Sequence, residues 1–231
     1  MAVYDCRDPS RARITQAESK RLTRQSLLDA ALRQMMEKGF SAASIEDIAR
    51  EAGFSRGAFY SNFSSKKDLL TELLARLRDE DLAALHTLTI SHNAPPAEMS
   101  LHQLIMTVFL ILQRNGAGVI ARAEARMLAS RDPEFRAWFS AFSKQTRTHL
   151  ARHIHTLCAR TGRVTVKSPD QIAVSLILLA ESAQLARLSG EDDSHVVDEH
   201  VLACSMEEWV GAGCEDDGTG SSSRRRAAVR N

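Results

Sequence analysis

A chain of 231 residues with 44% hydrophobic and 26% charged residues has room for one small and one medium domain, and is too apolar to be disordered by default. An aromatic share of 5%, beside plentiful Ala, Leu, Arg and Glu, argues against a β-sandwich and for helices. The net charge of +1 hides an asymmetry: residues 1–78 hold 14 Lys and Arg against 10 Asp and Glu, while residues 79–210 hold 12 against 16, so a basic front on an acidic body suits an anionic partner.

Residues 1–19 are polar, with Pro9, Arg7, Arg11 and Arg13, and read as a flexible basic leader without the apolar run of a signal peptide. Leu28, Ala31, Leu32, Met35 and Met36 then follow helical spacing until Gly39. Short helices are expected over 44–51 and 55–62, so residues 20–66 make a three-helix unit and a helix at 66–86 connects it onward. After Asn93-Ala-Pro-Pro96 breaks the chain, helical patterns cover 99–114, 117–130, 133–161, 169–189 and 195–210. Asp132-Pro133 and Ser168-Pro169-Asp170 set two of the starts, because proline is tolerated in a first turn. Residues 87–210 therefore form a second helical domain, and the Gly, Ser and charge of 211–231 a disordered tail. The fold class is all-α.

Cys6, Cys158, Cys204 and Cys214 form no CxxC pair, and a disulfide framework is not expected. The longest apolar stretches, Leu104–Leu112 and Ile172–Ala180, are about half a membrane span. The expectation is a cytoplasmic protein without a membrane partner.

The most informative segment is Ser44 to Phe63. Ile45, Ile48, Ala49 and Ala52 give one helix an apolar face, and Ser44 with Asp47 has the spacing of a capping box. Gly53 supplies a turn that needs φ > 0, Phe54 is expected to plug that turn, and Ser55 caps the next helix. There Phe59 and Phe63 point inward, leaving Arg56, Gly57, Tyr60, Ser61 and Asn62 outward, a face suited to the major groove. Ser64-Ser-Lys66-Lys67-Asp68 opens a further helix whose first N–H groups, with Lys66, suit a phosphate.

These residues resemble the TetR family of transcriptional regulators: the Ile-Ala-x-x-Ala-Gly-Phe-Ser turn, the Gly-Ala-Phe-Tyr-x-x-Phe helix and Ser-Lys-Lys-x-Leu-Leu match its pattern across residues 20–75. The resemblance implies a homodimer with an N-terminal helix-turn-helix DNA-binding domain and a helical ligand-binding and dimerisation domain. It implies that Ser44, Ser55, Tyr60 and Lys66 touch phosphates and that Arg56, Gly57, Ser61 and Asn62 lie near base edges. Glu46 would lie there too, but its charge opposes that of DNA. The implied partners are double-stranded DNA with a palindromic operator and a small-molecule effector, the protein acting as a repressor. An activator, or a constitutive DNA-binding protein of the same fold, is the alternative.

For the effector, Met106, Phe109, Met127, Trp138 and Phe142 are the expected apolar pocket lining, the alternative being ordinary packed core. Arg122, Glu124, Arg126 and Glu181 interrupt apolar helices, either as polar points of that pocket or as solvated faces. The helix at 169–189 is apolar around most of its circumference. Its Ile172, Leu176, Leu179, Ala180 and Ala183, with Val201 of the 195–210 helix, are expected at a dimer interface, the alternative being the protomer's interior. His149 and His153 have a spacing that permits metal ligation, but nothing local completes a site, so neither metal nor cofactor is expected. The chain lacks GxSxG, Walker A, strand-borne GxGxxG and HExxH motifs, and an enzyme is not expected.

Overall fold

The structure, a computed structural model, describes residues 15–90, 101–114, 116–161 and 165–190. Among them every regular element is a helix: α1 (Gln16–Lys38), α2 (Ile45–Glu51), α3 (Arg56–Tyr60), α4 (Lys66–Ile90), α5 (Leu101–Gln113), α6 (Gly116–Arg131), α7 (Pro133–Thr161) and α8 (Pro169–Ser189).

Helix α1 begins inside the stretch expected to be a loose leader. Thr15-Gln-Ala-Glu18 is a capping sequence, and the Thr15 hydroxyl accepts the Glu18 N–H at 3.2 Å. At the other end Gly39 takes φ +80°. That conformation is what favours glycine; a Cβ there would also stand 2.9 Å from a carboxylate oxygen of Glu124, a side-chain end that would have to give way. Helix α8 carries the full capping box at Ser168 and Gln171 with Pro169 in its first turn, and ends at Gly190 in the left-handed region.

Two apolar clusters run through the molecule. The first joins Leu27, Ala31 and Met35 of α1 to Ile48, Phe59, Phe63 and Leu69–Leu77, and continues into Ala121 and Ala125 of α6 and Phe135 and Phe142 of α7. The second joins Leu85 of α4 to α5, the later half of α7 and the inner face of α8. Helix α4 contributes to both, so its N-terminal half packs with the helix-turn-helix and its C-terminal half with the body.

By length and composition α8 is long and apolar enough to cross a membrane, which the shorter runs in the sequence did not suggest. It is a core helix here: Ile172, Ala173, Leu176, Ala180 and Ala183 are buried against the protomer's own helices. That placement corrects the dimer-interface expectation for Ile172, Leu176, Ala180 and Ala183, while Leu179 is partly buried against the same cluster. A helix apolar on most sides gives no sign in its sequence of which side the protomer takes for itself. The exposed apolar side chains are Leu178, Leu185 and Leu188, at seven- and three-residue steps along the opposite face. Val201 and the 195–210 helix lie outside the described residues, as does residue 93–96.

Candidate nucleic-acid interface and internal cavity

Helices α2 and α3 are positioned by local chemistry. The Ser44 hydroxyl accepts the Asp47 N–H at 3.0 Å and donates to the Asp47 carboxylate at 2.8 Å, which holds that carboxyl below its usual range. Gly53 turns the chain at φ +77°, with its N–H on Arg50 O and the Phe54 N–H on Ala49 O at 2.8 Å. Ser55 caps α3 through the Ala58 N–H at 3.2 Å. Phe59 and Phe63 are fully buried, and their rings lie 5.7 Å apart.

This leaves Ser55, Arg56, Gly57, Tyr60 and Ser61 exposed on one side of α3, with Ser44 half-buried at the start of α2. Arg56 lies over the Tyr60 ring and pairs with Glu46 at 2.5 Å. Ser61 donates its hydroxyl proton to Gly57 O at 2.9 Å, and its oxygen remains open to accept.

Three expected placements differ. Asn62 is half-buried and turned back: its amide donates to Ala58 O at 2.8 Å, and its side-chain oxygen is buried without a partner. Its carbonyl is held by Arg24, which also lies over the Phe63 ring and pairs with Glu72. Lys66 is likewise drawn inward. Its three N–H donors go to Phe40 O at 2.6 Å, Ala43 O at 2.9 Å and Ser41 O at 3.3 Å, none remaining for a phosphate. Burial lowers its pKa, an effect opposed by nearby Glu124. At the start of α4 the Ser65 hydroxyl accepts the Asp68 N–H at 3.0 Å, and the Asp68 carboxylate accepts from both the N–H and the hydroxyl of Ser64. Phe54, expected to plug the turn, is one-third exposed at 36%.

The body holds a cavity of about 50 Å³ between α4, α5, α6, α7 and α8. Leu74, Leu82, Leu85, Leu112, Leu150 and Ile177 supply most of its wall. Of the five expected lining residues only Phe142 reaches it. Trp138 stands behind Phe142, stacked on it at 5.1 Å. Met106 and Phe109 pack in the second apolar cluster. Met127 is exposed on the far side of α6, in a surface groove with Phe40 and Lys66. Apolar type and helical phase mark a residue as inward without telling a packed contact from a void.

The polar residues are better placed than the apolar ones. Arg122 donates to Glu181 at 2.9 Å, and Arg126 donates to the other carboxylate oxygen at 2.6 Å. Arg122 and Glu181 line both the cavity and an outer chamber of about 170 Å³, as do Phe142, Thr146 and Ile177. Asp81 of α4, which sequence reasoning passed over, also lines the inner cavity and is buried. Among the described residues no group of three His, Cys, Asp or Glu could hold a metal.

Comparison with known proteins agrees with this geometry. The profile described as "Bacterial regulatory proteins, tetR family" matches residues 27–73, which contain α2, the turn and α3. The regulator AcrR of Shigella flexneri is 45% identical over 62 residues, 27% of this chain and 28% of its own. The regulator BetI of Rhizobium meliloti (strain 1021) is 27% identical over 184 residues, 78% of this chain and 88% of its own. The structure of Salmonella enterica GusR has the same fold, with a TM-score of 0.65 at 17% identity, covering 87% of this chain and 100% of that one. A helix-turn-helix at the N-terminal end of an all-helical body, matched by profile, sequence and fold alike, places this chain in the TetR family of transcriptional regulators.

Proposed function

We propose that the chain is a homodimeric, sequence-specific DNA-binding repressor that a small apolar effector releases from a palindromic operator. The observation that carries this reading is the outer face of α3. Ser55, Arg56, Gly57, Tyr60 and Ser61 are exposed together on a helix that Phe59 and Phe63 anchor in the core. Arg56 supplies donors for guanine, and Gly57 permits close approach of the backbone. Ser44, Ser55 and Tyr60 flank it as phosphate contacts.

Two copies joined through the exposed Leu178, Leu185 and Leu188 face of α8 would present two such helices to successive major grooves, about 34 Å apart. The cavity supports an effector-responsive protein over a constitutive one, because α4 and α6 line it and also pack on the helix-turn-helix. An effector that prefers one arrangement of these helices shifts DNA affinity by its differential binding, typically about 1–3 kcal/mol.

Selection of bound sequences from random DNA tests the reading. A two-fold symmetric consensus with half-sites one helical turn, or a multiple of it, apart is the expected result. Recovery of no consensus would refute it.

A further inference from the structure

The cavity contains one acid whose hydrogen-bonding capacity is unused. Arg78 donates to Asp79 at 2.8 Å and lies over the Phe142 ring, so its charge is matched outside the cavity. Glu181 has both oxygens occupied by Arg122 and Arg126. Asp81 differs. It is only 8% exposed, and its nearest cation, Arg122, stands 3.9 Å away, beyond hydrogen-bond reach. Among the described residues nothing donates a hydrogen bond to it. Arg114 attracts its charge from farther off, and Glu80 opposes it. Burial outweighs these and pushes the carboxyl up to about 6. A buried acceptor without a donor, in a mostly apolar chamber whose other charged groups, Arg78, Arg122 and Glu181, are paired with one another or with neighbours, fits a ligand that brings the donor.

We propose that this cavity takes a small apolar molecule whose single polar end, an amine or an alcohol, donates a hydrogen bond to Asp81, and that it rejects the matching carboxylate. The apolar body replaces void beside Leu82, Leu85, Leu150 and Ile177 and reaches past Phe142 and Thr146 towards the outer chamber. An amine adds an ion pair to the hydrogen bond, while an alcohol leaves the charge of the site unchanged. A carboxylate meets Asp81 as a like charge, and to use Arg122 or Arg126 it must displace Glu181, itself only 5% exposed. The ligand class rests on the effector reading only for its consequence at DNA, not for binding itself.

The test is titration calorimetry of the full chain at pH 7.5 with hexan-1-amine, hexan-1-ol and hexanoate, on the natural protein, Asp81→Asn and Asp81→Leu. Both variants remove a desolvated carboxyl and are expected to fold, which melting curves check. Amine and alcohol should bind the natural protein at least about tenfold more tightly than hexanoate. Asp81→Asn should lose the amine preference and keep the alcohol, since the amide oxygen still accepts; Asp81→Leu should weaken both. Hexanoate binding as tightly as the amine, no binding by any probe, or unchanged binding to a folded Asp81→Leu would each overturn the proposal. Operator titration with the amine separates the two readings. Asp81-dependent binding without a change in DNA affinity sinks the effector reading alone. Operator release by a compound that ignores Asp81 sinks the ligand class alone.

Discussion

Glu124 and Phe40 tie the body of the molecule to its helix-turn-helix end: the Glu124 carboxylate, on α6, accepts the main-chain N–H of Phe40 at 3.0 Å, one residue past the glycine that ends α1. Two residues before Glu124, Arg122 holds Glu181 at the cavity. A displacement of α6 would therefore reach the segment that precedes α2.

Two substitutions probe this contact. Gly39→Ala puts a Cβ against Glu124 in a conformation that L side chains rarely adopt, and should cost about 1–3 kcal/mol. Glu124→Ala leaves the Phe40 N–H without its acceptor and should cost about 1–3 kcal/mol. Both should also shrink the change in operator affinity that an effector produces. Denaturant titration reads the first effect and operator titration the second. Full stability with full inducibility in both variants would show that the contact is incidental.

Lys66 gives a sharper contrast. A phosphate-binding lysine, when removed, lowers the dependence of log affinity on log salt by about one unit. The three carbonyls that Lys66 serves predict something else. Lys66→Met should destabilise the fold by about 1–3 kcal/mol and leave the salt slope nearly unchanged. A slope reduced by about one unit at unaltered stability would restore the phosphate role.

The helix-turn-helix was legible in the sequence because its signals are local. Ser44 and Ser55 cap from three residues away, Gly53 turns within its own loop, and Phe59 and Phe63 lie one turn apart. The inward setting of Asn62 was not legible, since its own main-chain carbonyl is held by Arg24, 38 residues earlier. The cavity was hidden for the same reason. Arg122 and Glu181 are 59 residues apart, and nothing in either segment names the other. The outer face of α8 escaped because leucines occupy both of its sides.

Asp81 makes stability depend on pH in an unusual direction. Its carboxyl rises from an ordinary 3.8 to about 6 on folding, so the folded state binds the extra proton between those values. The penalty is absent below the lower value and complete above the upper, and its contribution to stability falls as pH rises through that window. Asp81→Asn should therefore be more stable than the natural protein above pH 6, by at most about 3 kcal/mol, and the gap should close towards pH 4. Comparing the two proteins pH by pH cancels carboxylates such as Asp47 and Asp132, which are shifted the other way. A gap that does not change with pH would contradict this assignment.

Assembly is expected to depend on the outer face of α8. Leu178→Asp with Leu185→Asp places two charges on exposed positions, so the protomer should keep its fold while light scattering reports the monomer mass. Operator affinity should fall steeply, because each half-site then binds alone. A dimer that survives in the double variant would place the interface elsewhere.

The central claim is that the outer face of α3 reads DNA, and operator affinity of the double variant Arg56→Ala, Tyr60→Ala tests it most directly. Both side chains are exposed, so the melting temperature should stay near that of the natural protein. Loss of one guanidinium contact to a base alone accounts for about 1–3 kcal/mol. The account predicts that a mobility-shift titration at fixed salt shows at least about tenfold weaker binding to the selected operator, and a much smaller loss on unrelated DNA. Undiminished operator binding by the folded double variant would contradict it.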